Sequence, residues 1–206
     1  MKKRGILVVV SGFSGAGKGT LMKELLSRYD NYALSISATT RKPREGEVDG
    51  REYFFVSRDQ FESMIEQDEL IEYADYVGNY YGTPKDYVAS QMDAGRDVVL
   101  EIEMQGALKV KEKFPETLLV FVMPPSAGIL YERLKARGTE TEEVIVRRMQ
   151  RAVEEAEDMH RYDYLLINND LDTCVRTMHE LIQAQHLKMS NCLDIVGVMK
   201  DQLKRL

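Results

Sequence analysis

Cysteine is scarce in this 206-residue chain, and Cys174 and Cys192 have no metal-ligand spacing. That excludes a disulfide framework and leaves a reducing, cytoplasmic compartment as the simplest expectation. Histidine is nearly as rare: His160, His179 and His186 sit in helical surroundings, the last two seven residues apart, and are expected at the surface rather than as ligands. No apolar run approaches the ~20 residues of a membrane span, and Met1-Lys2-Lys3-Arg4 leads into a short strand instead of a signal sequence. Basic residues are outnumbered, and the net charge of −6 argues against general nucleic-acid binding while leaving local basic clusters open. With 44% apolar and 30% charged residues, the chain fits one soluble α/β domain with an insertion, or two small domains.

What the sequence does have is Gly12-Phe13-Ser14-Gly15-Ala16-Gly17-Lys18-Gly19-Thr20, between an apolar run from Ile6 to Val10 and a helical pattern beginning near Leu21. A strand that ends in glycines can turn so that successive N–H groups point inward. A helix N-terminus then adds its positive dipole end to the same concavity. Lys18 would reach the outer phosphates of a nucleotide, since its flexible stem lets the charge follow a moving phosphoryl group. Gly19 stands where a magnesium-binding hydroxyl is usual; either Thr20 takes that duty or water completes the metal shell.

Farther on, the residues from about Ala33 to Ala94 read as an insertion with its own small sheet. Ser57-Arg58-Asp59-Gln60 is a capped helix start, and Pro84 opens a helix at about Lys85. Strand patterns return at Val98 to Leu100, Leu118 to Met123 and Tyr164 to Ile167, separated by helical patterns. That alternation predicts a doubly wound parallel sheet. Beyond about Thr173 the chain is helical, and the spacing of Met189, Leu193, Val196, Met199, Leu203 and Leu206 predicts a core-facing or self-association stripe, the latter implying a homodimer.

Two further clusters carry chemistry. Arg41 and Arg44 flank Pro43, with Tyr53 following; two guanidinium forks and phenolic hydroxyls suit a second phosphate monoester. Arg133 and Arg137, then Arg147 and Arg148, surround the glycine break at Gly138 and predict a helical lid over the transferring phosphoryl group.

Taken together, Gly12 to Thr20, Ser35-Ile36-Ser37-Ala38-Thr39-Thr40-Arg41-x-Pro43-Arg44-x-Gly46-Glu47, Gly78 to Thr83, Glu103-Met104-Gln105-Gly106 and Arg137 to Thr141 resemble the guanylate kinase family over about 185 residues. The resemblance implies a P-loop NTPase-like core (residues 1–33 and 95–190) that binds ATP, with a lid at about 126–160. It also implies a small α+β insertion (34–94) that binds GMP, a C-terminal helical tail (191–206), and Mg2+-dependent γ-phosphoryl transfer to GMP, with dGMP as a further acceptor. Gly12, Ser14, Gly15, Ala16, Gly17, Lys18, Gly19, Thr20 and Asn168 would bind ATP. Arg41, Arg44, Tyr53 and Tyr81 would hold the GMP phosphate; Ser37, Glu72, Thr83 and Glu103 would meet guanine. Lys18, Arg41, Arg133, Arg137 and Arg148 would act in catalysis, and Thr20 and Glu101 could reach the metal through water. The chain departs from the family's usual aspartates at Glu101 and Glu103 and from its usual proline at Phe13. A kinase acting on another phosphate monoester, and a scaffold module that binds partners without catalysis, are the alternatives; the intact Lys18 and arginine set oppose the second.

Overall fold

The computed structural model describes residues 4–76, 78–136, 138 and 141–206. Its centre is a strand with no polar side to offer. In β1 (Leu7–Gly12), Val8 and Val10 point to one layer and Leu7 and Val9 to the other, and all four are buried. A strand sealed on both faces reads as a continuous apolar run, and burying each such side chain contributes about 1.5–3 kcal/mol. β1 lies in the middle of a five-stranded sheet with β2 (Tyr32–Leu34), β7 (Asp97–Glu101), β8 (Leu118–Met123) and β9 (Tyr164–Ile167), in the order β2-β7-β1-β8-β9. Every pairing in it is parallel. α1 (Lys18–Arg28) and α7 (Leu171–Gln185) cover one face through Leu21, Leu25, Met178 and Ile182. α3 (Lys85–Asp93) and α4 (Met104–Lys113) cover the other through Val88 and Val110.

A second, four-stranded sheet is built from the chain between β2 and β7. Its order is β4-β3-β6-β5, with β3 (Ala38–Thr39), β4 (Phe54–Phe55), β5 (Leu70–Tyr76) and β6 (Asn79–Pro84). β3 runs parallel to β4 and antiparallel to β6, and β5 and β6 form an antiparallel pair. α2 (Arg58–Glu66) closes this sheet by burying Phe61 completely against Ala38 and Leu70. The helix starts on a capping box: the Ser57 hydroxyl accepts from Gln60 N at 3.1 Å, and Gln60 Oε1 accepts from Ser57 N at 2.8 Å.

α5 (Ala127–Ala136) and α6 (Glu142–Asp158) pack on each other through Leu130, Leu134 and Ile145. The tail ends in a 3-10 turn (Met189–Cys192) and α8 (Leu193–Leu203). Among the described residues, no helix is long and apolar enough to cross a membrane.

Three expectations are corrected. The terminal stripe does not line the core: α8 buries no residue, and Leu193 and Leu203 are each 61% exposed. His179 and His186 are not surface residues. His179 stacks on Tyr29 at 3.7 Å and its Nδ1 lies 2.7 Å from the Tyr32 hydroxyl, while His186 Nε2 lies 2.7 Å from Oδ1 of the buried Asp97. Asp97 Oδ1 also accepts from Ile6 N, which fastens the point where α3 hands the chain back to the first sheet. α1 begins at Lys18, not near Leu21, because Gly17 completes the turn and the helix follows at once.

The capping box gives the fold's first test. Ser57→Ala removes one of two reciprocal bonds at α2 and is expected to cost about 1 kcal/mol. For a chain of this size, that corresponds to a fall of about 2–4 °C in the thermal midpoint, measurable by calorimetry. An unchanged midpoint would mean that the α2 start does not hold the second sheet.

Candidate functional site

In open parallel sheets, ligands bind beyond the carboxyl ends of the strands, where the strand order reverses. Here that place is the end of β1. A Cβ on Gly12 would stand 2.0 Å from the Val122 carbonyl oxygen, so only glycine lets β1 finish against β8. Ala16 N donates to Phe13 O at 3.0 Å and closes the turn. Gly17 (φ 90°) then enters the helix from the left-handed region, and a Cβ there would meet Asn168 Nδ2 at 2.6 Å. Gly17 offers no side-chain cap to α1. The first-turn N–H groups and the positive end of the helix dipole are thereby left for an anion. Lys18, the first helical residue, folds back across this concavity, donating from Nζ to Gly12 O at 2.6 Å and Phe13 O at 3.3 Å.

Cations from two other helices converge on the same loop. Arg133 on α5 donates from Nη2 to Asn168 O at 2.9 Å and from Nη1 to Ala16 O at 3.4 Å. Arg148 on α6 donates to the Ser14 hydroxyl. Asn168, just after β9 and buried, donates from Nδ2 to Ala16 O at 2.9 Å, so the structure uses its amide to hold the loop. Phe13 packs against both the first-sheet core and the α5–α6 cluster and meets Phe121 edge-on at 5.0 Å. The aromatic ring thus links the loop to the helix pair that carries its arginines. Arg147 faces solvent, and Arg137 lies outside the described residues.

The second sheet gathers another set. Arg41 lies 5.3 Å from the Tyr53 ring centre, and Tyr53 lies 6.0 Å from Tyr81. The hydrogen bond to Glu47, and after it Tyr81, hold the Arg41 guanidinium above its ordinary pKa. Arg44 has an exposed side chain on the same turn. On β5 and β6, the hydroxyl of the fully buried Thr83 donates to Glu72 Oε1 at 2.8 Å. Burial raises the Glu72 pKa, opposed by the Thr83 hydrogen bond and by Lys109. α4 reaches the same carboxylate: a Cβ on Gly106 would lie 3.4 Å from Glu72 Oε2. Ser37 is half-buried before β3, its carbonyl accepting from Phe54 N at 2.9 Å.

Between the two sets stand carboxylates. Glu101 ends β7 and Glu103 precedes α4, both with exposed side chains. The protein around Glu101 raises its pKa by desolvation, Lys18 opposes, and Glu103 adds to the rise. Glu103 stands at the head of α4, the helix that approaches Glu72. Thr20 is exposed in the first turn of α1. Among the described residues, no group of three or more His, Cys, Asp or Glu is placed to hold a metal directly. The Thr20 hydroxyl and the Glu101 carboxylate at the end of β7 still fit Mg2+, which keeps several waters and takes much of its shell from phosphates.

Sequence reasoning missed Glu155. It is 8% exposed on α6; burial pushes its carboxyl up, Glu103 adds to that, and Arg151 and Lys18 oppose. The signal was its position: residues 145, 152 and 155 form the buried stripe of α6, and a carboxylate on such a stripe needs a reason.

The guanylate kinase family model matches residues 4–185 of the chain. A guanylate kinase of Halalkalibacterium halodurans is 52% identical over 193 residues, covering 94% of this chain and 95% of that protein. One of Bacillus subtilis is 51% identical over 189 residues, covering 91% and 93%. Among solved structures, guanylate kinase from Anaplasma phagocytophilum is similar at a TM-score of 0.69 and 31% identity, covering 91% of this chain and 89% of that one. A glycine-rich loop on which Lys18, Arg133 and Arg148 converge, a second sheet with its own arginine–tyrosine cluster, and this likeness along nearly the whole length lead to one conclusion: the chain belongs to the guanylate kinase family.

Proposed function

We propose that the protein is a cytoplasmic, Mg2+-dependent guanylate kinase that transfers the γ-phosphoryl group of ATP to GMP, with Arg41, Arg44, Tyr53 and Tyr81 on the acceptor phosphate. The observation that carries this reading is the Glu72–Thr83 pair. Guanine presents N1–H and N2–H2 as adjacent donors, which one carboxylate accepts together; the Ser37 hydroxyl can donate to O6, while the Thr83 hydroxyl donates its one proton to Glu72 Oε1 and orients the carboxylate. Adenine lacks the N2 donors and would leave a half-buried carboxylate poorly paired. dGMP, which carries the same base and the same phosphate, is proposed as a further acceptor.

The loop N–H groups and Lys18 would hold the triphosphate, while Arg133, Arg137 and Arg148 cover the transferring group. Mg2+ held through water by Thr20 and Glu101 would offset phosphate charge when bound with ATP. Catalysis is then positioning and charge neutralisation, with no covalent enzyme intermediate. The exposed apolar face of α8 is where a second copy of the chain would pack.

Measuring ADP formation with GMP, dGMP, AMP and UMP as acceptors separates this reading from a kinase for another monophosphate and from a catalytically silent scaffold. Lys18→Met removes a preorganised charge from the developing transition state and is expected to lower turnover about a hundredfold or more, with thermal unfolding unchanged. Near-normal turnover from a folded Lys18→Met protein would contradict the reading of the loop.

Glu72→Gln must present an amide donor or a single oxygen to guanine, so one of the paired donors loses its partner. The expected loss is roughly 1–3 kcal/mol of discrimination for GMP over AMP in kcat/KM. For the same reason GMP use should weaken on acidification at a higher pH than an ordinary carboxylate would dictate, since the raised Glu72 pKa brings protonation earlier. An unaltered GMP/AMP ratio in the variant would remove Glu72 from base recognition.

A further inference from the structure

The turn that carries Arg41 and Arg44 ends in Glu47, a residue with no task in the reading above. Its carboxylate spans two points of that turn. Oε1 accepts from Arg41 Nη2 at 2.9 Å, and Oε2 accepts from the Arg44 backbone N–H at 2.7 Å. The Glu47 N–H in turn donates to the Arg44 carbonyl at 3.1 Å. Arg41 is fixed from its remaining sides as well: Nη1 donates to Lys42 O at 2.8 Å, and the Tyr53 and Phe55 rings lie 5.3 and 5.8 Å from its guanidinium carbon.

The enclosure is local and specific. Arg41 and Glu47 side chains are only 16% and 17% exposed, while residues 42–46 between them are all exposed. Ion pairs near the surface contribute little to stability, and ordering a long arginine costs rotamer freedom. A pair built this carefully on an open turn therefore serves direction more than stability. A guanidinium recognises a phosphate monoester as a planar fork, and that fork is effective only when it is aimed beforehand.

We propose that Glu47 is a positioning residue for the acceptor phosphate: it aims the Arg41 fork and sets the Arg44 backbone, so that both arginines meet the phosphate of GMP without being reordered. This rests on the assignment of GMP to the second sheet. One effect opposes it, because the carboxylate also repels the phosphate. The Glu47 charge is already paired with the Arg41 guanidinium at 2.9 Å, which offsets it toward the phosphate, so positioning outweighs repulsion.

Glu47→Gln keeps the shape, but its single oxygen can serve Arg41 or the Arg44 N–H, and its amide meets a donor at the other. Glu47→Asp keeps the charge and is one methylene short of bridging both. Calorimetric titration of the full-length wild type and both variants, without ATP, would use GMP and guanosine, which retains the base and lacks the phosphate. The GMP dissociation constant is expected to rise about tenfold in both variants, the scale of one charge-assisted hydrogen bond, with guanosine affinity unchanged. Unchanged or tighter GMP binding in Glu47→Gln would overturn the proposal, as would full retention by Glu47→Asp or an equal weakening of GMP and guanosine. A wild type that binds no GMP would instead overturn the assignment of the second sheet.

Discussion

Two groups of like charge have to be brought to reacting distance, and the molecule is arranged around that repulsion. Backbone N–H groups can cradle one polyanion, because a loop that ends a buried strand and begins a helix offers several donors with no side chains in the way. They cannot reach a second one. The remaining positive charge would have to come from elsewhere, and α5, α6 and the second sheet each carry an arginine at a different place in the chain that is proposed to supply it. The parallel sheet fixes the loop, and the loop fixes what the other elements must face.

These cations are engaged before any substrate arrives. Lys18 lies on the Gly12 and Phe13 carbonyls, Arg133 on Asn168 O, Arg148 on Ser14, and Arg41 on Glu47. At Lys18, Arg133 and Arg148 phosphates would therefore bind by exchange of partners, whereas Arg41 would keep Glu47 and meet the phosphate with its other N–H groups. Exchange lessens the gain from each contact, but each side chain is already directed toward the site, so less conformational freedom is lost on binding. Asn168 and Phe13 act one step behind: the first ties the loop to the end of β9, the second ties it to the helix pair.

Much of this was legible in the sequence, for physical reasons that differ from element to element. Strands β8 and β9 were readable residue for residue, since an apolar run that stops at prolines or asparagines has few other uses. The α2 start was readable because a capping box is local. β3 and β4 were not, being two residues each, too short to show alternation. The arginine clusters stood out by composition, but their targets did not: Arg133 meets Ala16 across 117 positions and Asn168 meets it across 152. His179 and His186 were misplaced for the same reason, since Tyr29, Tyr32 and Asp97 are distant in the chain. Glu47 lay inside the recognised pattern, yet only the folded turn shows both of its oxygens in use.

No single element carries all the charge that the two phosphates need, and Arg133 and Arg148 already touch the loop, so it is the second sheet that would have to approach it when both sites are filled. Small-angle scattering with and without a two-headed adenosine–guanosine polyphosphate measures this directly. A smaller radius of gyration at saturating ligand is the predicted result. Superimposable curves with the ligand demonstrably bound would contradict it, and would mean that the charges are preassembled.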